Sequence, residues 1–197
     1  AYMSVPHEVE EAGSVHRGSG WRGEGRVISV GSFTKILAPG LRLGWAEASP
    51  ALIKKLSARG YIVSGGSVAP FAAEVVCELL EDGGQTEVLK GLIADYSASA
   101  RALVEAIRAA GCFEIVKEPR GGMFIWCVLP EGVTTEALLP VAERHGAVFL
   151  PGFVCAPTAP PSEFERLIRL CFAYEDVGAI VEGVARLKSA VEELTQK

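Results

Sequence analysis

The 197-residue sequence lacks a C-x-x-C pair, and its five cysteines, Cys77, Cys112, Cys127, Cys155 and Cys171, are widely spaced and mostly set in apolar runs. This argues against a disulfide framework or cysteine zinc site and reads as reduced core thiols. His7, His16 and His145 have no ligand spacing, so no metal site is expected. Positive charge is scarce as well: the formal net charge is −5 and the pI about 5.3, which provides no basic face for nucleic acid. No apolar run approaches the roughly 20 residues of a membrane span, and no basic segment leads into an apolar one as in a signal peptide. Repeats and low-complexity tracts are missing too. What remains is a chain with 49% hydrophobic and 22% charged residues, able to bury a core. The expectation is a soluble cytoplasmic protein that acts on small molecules. It begins at Ala1 rather than at methionine, which suggests that sequence precedes it.

Residues 6–25 are polar, charged and glycine-rich and read as a long surface loop. Residues 27–30 give a buried strand and residues 41–46 a second. Ser49 followed by Pro50 predicts a helix start, the serine as N-cap, with Gly60 as the stop. In residues 68–80, Phe71, Val75, Val76 and Leu79 share a helical face, and Asp82-Gly83-Gly84 ends the run. Residues 86–110 keep a helical period through Leu89, Leu92, Ile93, Tyr96, Leu103 and Ile107, long enough for a connector between domains. Strands over 113–116, 123–129, 147–150 and 167–172, and helices over 135–145 and 176–193, complete an α/β pattern. The organisation predicted is a first domain over 1–85 and a compact α/β domain over 86–197.

The most informative segment is Ser32-Phe33-Thr34-Lys35-Ile36-Leu37-Ala38-Pro39-Gly40-Leu41-Arg42-Leu43-Gly44-Trp45. A lysine acts as a nucleophile only after losing its proton, which burial and a neighbouring cation such as Arg42 favour. Arg42 and the Ser32 hydroxyl also offer the fork and extra donor suited to a phosphate, and Thr34 adds a second hydroxyl. Ala38 and Gly40 leave room for close backbone approach to a ligand, and Pro39 fixes the turn. A solvated surface lysine is the plain alternative for any one such turn. A second distinctive residue is Arg169, charged within an apolar strand, a placement that costs several kcal/mol unless a partner meets it. That partner is either an anionic ligand or a glutamate such as Glu118.

The string S-x-x-K-x6-R closed by Gly44-Trp45 resembles the cofactor-lysine motif of class I/II aminotransferases, pyridoxal-phosphate enzymes of fold type I. The likeness runs over nearly the whole chain. Ala1-Tyr2 is similar to the end of the family's acidic-x-x-Tyr motif, Gly121-Gly122-Met123-Phe124 to the glycine pair opening a small-domain strand, and Pro151-Gly152 to the turn that closes over the site. Residues 167–173 are similar to the R-L-x-F-A strand, and residues 181–187 to the closing helix.

The resemblance implies the C-terminal part of the large mixed-sheet cofactor domain followed by the small α/β domain. It also implies residue roles. Lys35 forms the Schiff base with pyridoxal 5′-phosphate and then moves a proton between substrate Cα and the cofactor's C4′. Tyr2 hydrogen-bonds the phenolic oxygen, Ser32 and Arg42 hold the phosphate, and Arg169 grips the α-carboxylate of an amino acid or 2-oxo acid. The family's homodimer builds each site from both subunits. Its members are about twice this length, so the cofactor's acidic partner would lie upstream of Tyr2. The chain is therefore expected to be a C-terminal fragment inactive alone, with apolar surface exposed over 1–85. The motifs sit nearest the aminoadipate and aromatic amino-acid branch. Two other readings stay open: a non-catalytic, cofactor-sensing domain of a transcription regulator, and a penicillin-binding type of acyl transferase with Ser32 as nucleophile. The latter is weakened because no S-D-N or K-T-G follows.

Overall fold

The computed structural model describes residues 27–65, 69–156 and 164–196. Helices and antiparallel sheets form two compact units, Ala1–Ala94 and Asp95–Lys197, divided within the long helix. The loop expected over 6–25, Tyr2 and the Gly66-Ser67 step lie outside the described residues.

In the first unit, β1 (Ile28–Ser32) pairs antiparallel with β2 (Gly44–Ala48), with Ser32 opposite Gly44 and Gly31 opposite Trp45. The buried strand expected at 27–30 is instead half-open: Ile28 is 43% and Val30 60% exposed, because this two-stranded ribbon leaves one face uncovered. Helix α1 (Pro50–Ser57) starts where Ser49 and Pro50 placed it, but the serine does not cap it. Its backbone is extended, and its Oγ is buried without a hydrogen-bond partner among the described residues. Gly60, expected as a stop, opens a second short helix, α2 (Gly60–Gly65).

Helix α3 (Pro70–Glu81) buries Val76 but leaves Phe71 83% exposed, so only part of its predicted apolar face is covered. Its exit is a sharp turn. Gly83 adopts φ +81°, a left-handed conformation that favours glycine, and Asp82 Oδ1 accepts the Gly84 N–H at 2.7 Å. Helix α4 (Gly84–Ala110) follows directly. The unit's small core joins Phe33, Ile36 and Val76 to the half-buried Leu37, Leu41, Leu43, Trp45, Leu89 and Ile93.

The second unit has four antiparallel strands, β3 (Glu114–Ile115), β4 (Phe124–Val128), β5 (Leu150–Pro151) and β6 (Leu167–Cys171), in the order β3-β4-β6-β5. Helices α5 (Thr135–Arg144) and α6 (Val177–Thr195) are capped by Thr134 Oγ1, accepting the Ala137 N–H, and Asp176 Oδ1, accepting the Ala179 N–H. Alternation gives the sheet two faces. Ile125, Cys127, Ile168 and Leu170 enter a core with Leu103 and Ile107 of α4, Leu138 of α5 and Leu187 of α6. Each such apolar side chain contributes about 1.5–3 kcal/mol on full burial. Phe124, Trp126 and Arg169 belong to the other face and stay half-buried.

The cysteines depart from the expected core set. Only Cys127 is buried; Cys77, Cys155 and Cys171 are exposed and Cys112 is intermediate, because strand and helix faces, not local hydropathy, decide burial. All five are free thiols. Among the described residues, no helix is long and apolar enough to cross a membrane, and no group of three or more His, Cys, Asp or Glu could hold a metal ion.

Candidate active site

The lysine turn follows β1 and is closed by one carbonyl. Phe33 O accepts the N–H groups of Ile36, Leu37 and Ala38 at 3.3, 2.9 and 3.1 Å, while Phe33 N–H donates to Leu43 O at 3.0 Å. Phe33 and Ile36, three residues apart, turn into the core, and Lys35 between them is left exposed. Phe33 packs against Trp45 with ring centroids 4.8 Å apart at a tilt of 50°. The burial expected to help deprotonate Lys35 is therefore not provided by the described residues.

Thr34 links the predicted phosphate-binding groups. Its N–H donates to Ser32 Oγ at 3.1 Å, and its Oγ1 accepts from Arg42 Nη1 at 3.5 Å. The same nitrogen donates to Pro39 O at 3.2 Å. A short 3-10 turn, Pro39–Leu41, delivers Arg42 in the left-handed region at φ 51°, ψ 35°. Arg42 is the one non-glycine residue with positive φ among those described. Such a conformation costs of order 1–3 kcal/mol and persists only where surrounding structure imposes it. Nε and Nη2 of the exposed guanidinium have no partner among the described residues. Two hydroxyls beside a cation with unspent donors fit a phosphate.

Arg169 lies on β6 opposite Trp126 of β4 and Leu150 of β5. Its guanidinium carbon sits 4.0 Å from the centroid of the Phe124 ring. Glu118, the candidate partner, ion-pairs instead with Arg108. Among the described residues no carboxylate pairs with Arg169. A guanidinium laid over a ring keeps its in-plane N–H donors available, which suits a carboxylate approaching edge-on.

The structure thus joins Ser32, Thr34 and Arg42 on the Lys35 turn and places Arg169 over Phe124 in the second unit. Two contributors were not foreseen as such. In the sequence Phe124 stands out only as part of a glycine-pair motif; its alternation with Trp126 marks one sheet face, but its pairing with Arg169 needs the strand register. Gln85, whose Nε2 donates to Ile36 O at 2.9 Å, left no sequence signal.

The family model for aminotransferases of class I and II matches residues 7–187. An aromatic-amino-acid aminotransferase of Thermococcus litoralis is 33% identical over 179 residues, 90% of this chain and 42% of its own length. Among solved structures, the α-aminoadipate aminotransferase of Thermus thermophilus, complexed with N-(5′-phosphopyridoxyl)-L-leucine, is 31% identical. It superposes with a TM-score of 0.72, covering 86% of this chain and 43% of that one. A helix-turn-helix transcriptional regulator of Rhodobacter capsulatus, TauR, is 29% identical over 85% of the chain and 34% of its own length. The chain spans about two fifths of the length of the aminotransferases it matches. A mixed α/β fold shared with solved aminotransferases, together with the match over residues 7–187, establishes that the chain belongs to the aminotransferase class I and II family.

Proposed function

We propose that the protein containing this chain is a pyridoxal-phosphate-dependent aminotransferase that moves an amino group between an α-amino acid and a 2-oxo acid. The observation that carries this reading is the Ser32–Thr34–Arg42 cluster beside an outward-facing Lys35. When bound, pyridoxal phosphate supplies a conjugated electron sink for the charge left at Cα after proton removal. Ser32 Oγ, Thr34 Oγ1 and the Arg42 guanidinium bind its phosphate, and Tyr2 binds its phenolic oxygen. Lys35 Nζ is the attachment point and then the general base that takes the proton from substrate Cα. Arg169 orients the substrate by a bidentate grip on the α-carboxylate.

The domain division near residue 85, the homodimer and the cytoplasmic setting are part of the same proposal. So is inactivity of the isolated chain, which spans 42% of a related aminotransferase. The open apolar surface of Ile28, Val30, Phe71 and Val75 supports a need for further covering chain. The test is an absorbance scan of the full-length protein with pyridoxal phosphate. Wild type is expected to show a visible band that borohydride fixes to the protein, and Lys35→Ala to lack it. A band that survives the substitution refutes the role of Lys35.

Similarity to helix-turn-helix regulators favours a second reading, a non-catalytic domain that senses the cofactor. Turnover of an amino acid/2-oxo acid pair by the full-length protein selects the enzyme. Lys35-dependent cofactor binding without turnover, combined with cofactor-dependent DNA binding, selects the regulator.

A further inference from the structure

Gln85 is buried, with 5% of its surface exposed, and bonds to Ile36 of the first unit's apolar cluster. It sits in the first turn of α4, set there by the Asp82–Gly83–Gly84 turn, and its Nε2 donates to the carbonyl of Ile36 at 2.9 Å across 49 residues of sequence. The orientation of the amide follows from chemistry, because only its NH2 end can donate to a carbonyl. Its other end, Oε1, is buried with no hydrogen-bond partner among the described residues. An unmet buried acceptor carries a desolvation cost, and a leucine or methionine would fill similar volume without it. Packing alone does not call for glutamine here; holding the Ile36 carbonyl does.

We infer that Gln85 is a positioning residue for Lys35, pinning from inside the turn that Phe33 O closes from its base; this rests on the role proposed for Lys35. The peptide held is the one between Ile36 and Leu37, whose N–H also donates to Phe33 O. With Phe33 and Ile36 already locked in the core, the Gln85 bond removes the freedom of that peptide to rotate. Lys35 is thereby bracketed by the buried Phe33 and by Ile36, which is buried and held at its carbonyl, and errors of about 1 Å at a reacting group can cost on the order of 100-fold in rate.

The test compares Gln85→Leu with Leu89→Ala, which thins the same core without touching the turn's hydrogen bonds, in the full-length protein. In amide exchange without cofactor, Gln85→Leu is expected to speed exchange at Ile36, Leu37 and Ala38 by roughly tenfold while sparing the Pro70–Glu81 helix. Leu89→Ala is expected to raise exchange throughout the cluster. With pyridoxal phosphate added, Gln85→Leu is expected to shift the pH midpoint of the visible band and to lower kcat about tenfold with KM within twofold. Leu89→Ala is expected to lower Tm with neither change. Gln85→Leu exchange indistinguishable from wild type overturns the inference, as does an unmoved midpoint and kcat. A wild-type protein that forms no Lys35-dependent band instead refutes the proposed role of Lys35, while the exchange data still decide whether Gln85 holds the turn.

Discussion

Gly31 stands opposite Trp45 in the β1–β2 ladder, and a methyl group added there would lie 2.2 Å from two atoms of the indole ring. Ordinary carbon–carbon contact needs about 3.5 Å, so the ring must retreat by more than about 1 Å. That retreat disturbs its contact with Phe33, whose ring centroid is 4.8 Å from that of Trp45. Overpacking of this kind costs about 1–3 kcal/mol. Gly31→Ala is therefore expected to lower stability by about that amount, read by urea unfolding of the full-length protein with Trp fluorescence as the probe, or as about 1 °C of Tm for each kcal/mol in a protein of that size. Because Phe33 supplies the carbonyl that closes the lysine turn, pyridoxal phosphate binding should weaken in parallel. The decisive control is Trp45→Ala. In that background the indole contact is gone, and Gly31→Ala should cost less than about 0.5 kcal/mol. An equal cost in both backgrounds would refute the steric argument and point to the strand backbone instead.

Arg42→Gly should relieve the left-handed strain and leave the protein as stable or more stable in urea, while weakening pyridoxal phosphate binding at least about tenfold in a spectroscopic titration, since a charge-assisted pair contributes roughly 1.5–3 kcal/mol. Equal affinity would remove Arg42 from the phosphate site. Phe124→Leu, taking away the ring beneath Arg169, should raise KM for amino acid and 2-oxo acid together by about three- to tenfold with kcat nearly unchanged, as a ring–guanidinium contact is worth about 0.5–2 kcal/mol. A fall in kcat at constant KM would contradict it. Cys127, whose thiol burial pushes up to about 12 from 9.0, is held neutral in the fold. The unfolded chain loses that proton first, so this stabilisation is full below about pH 9 and is lost as pH rises toward 12. Cys127→Ala should flatten the decline of stability above pH 9, and thiol labelling should reach Cys77, Cys155 and Cys171 well before Cys127.

Periodicity and punctuation carried most of the element pattern. Leu103 and Ile107 on α4, and Ile180, Val184 and Leu187 on α6, recur with the helical period and do face the second core. Asp82-Gly83-Gly84 marked a turn because a left-handed glycine and an aspartate acceptor are local devices. Ser49 shows the limit of such signals. The residue type and the following proline predicted the start of α1, yet its hydroxyl caps nothing, because side-chain direction depends on what surrounds it. The same limit separates the expected burial of 27–30 from the open ribbon observed. A run of apolar residues states that burial is favourable, not that this chain supplies the cover.

By itself the sequence determined the family, through an ordered string whose spacing places a lysine, two hydroxyls and an arginine on one connection between strands. It also determined the helices of the second unit and the singular position of Arg169. Tertiary structure alone decided which groups meet. The β4–β6 register brought Phe124 under Arg169, and an ion pair with Arg108 took Glu118 out of contention. Phe33 and Ile36 turned inward and left Lys35 outside, and Gln85 reached back 49 residues to hold the Ile36 carbonyl. Spacing along a chain is a local property, whereas contact across strands and between helix and turn depends on register and packing that no local pattern encodes.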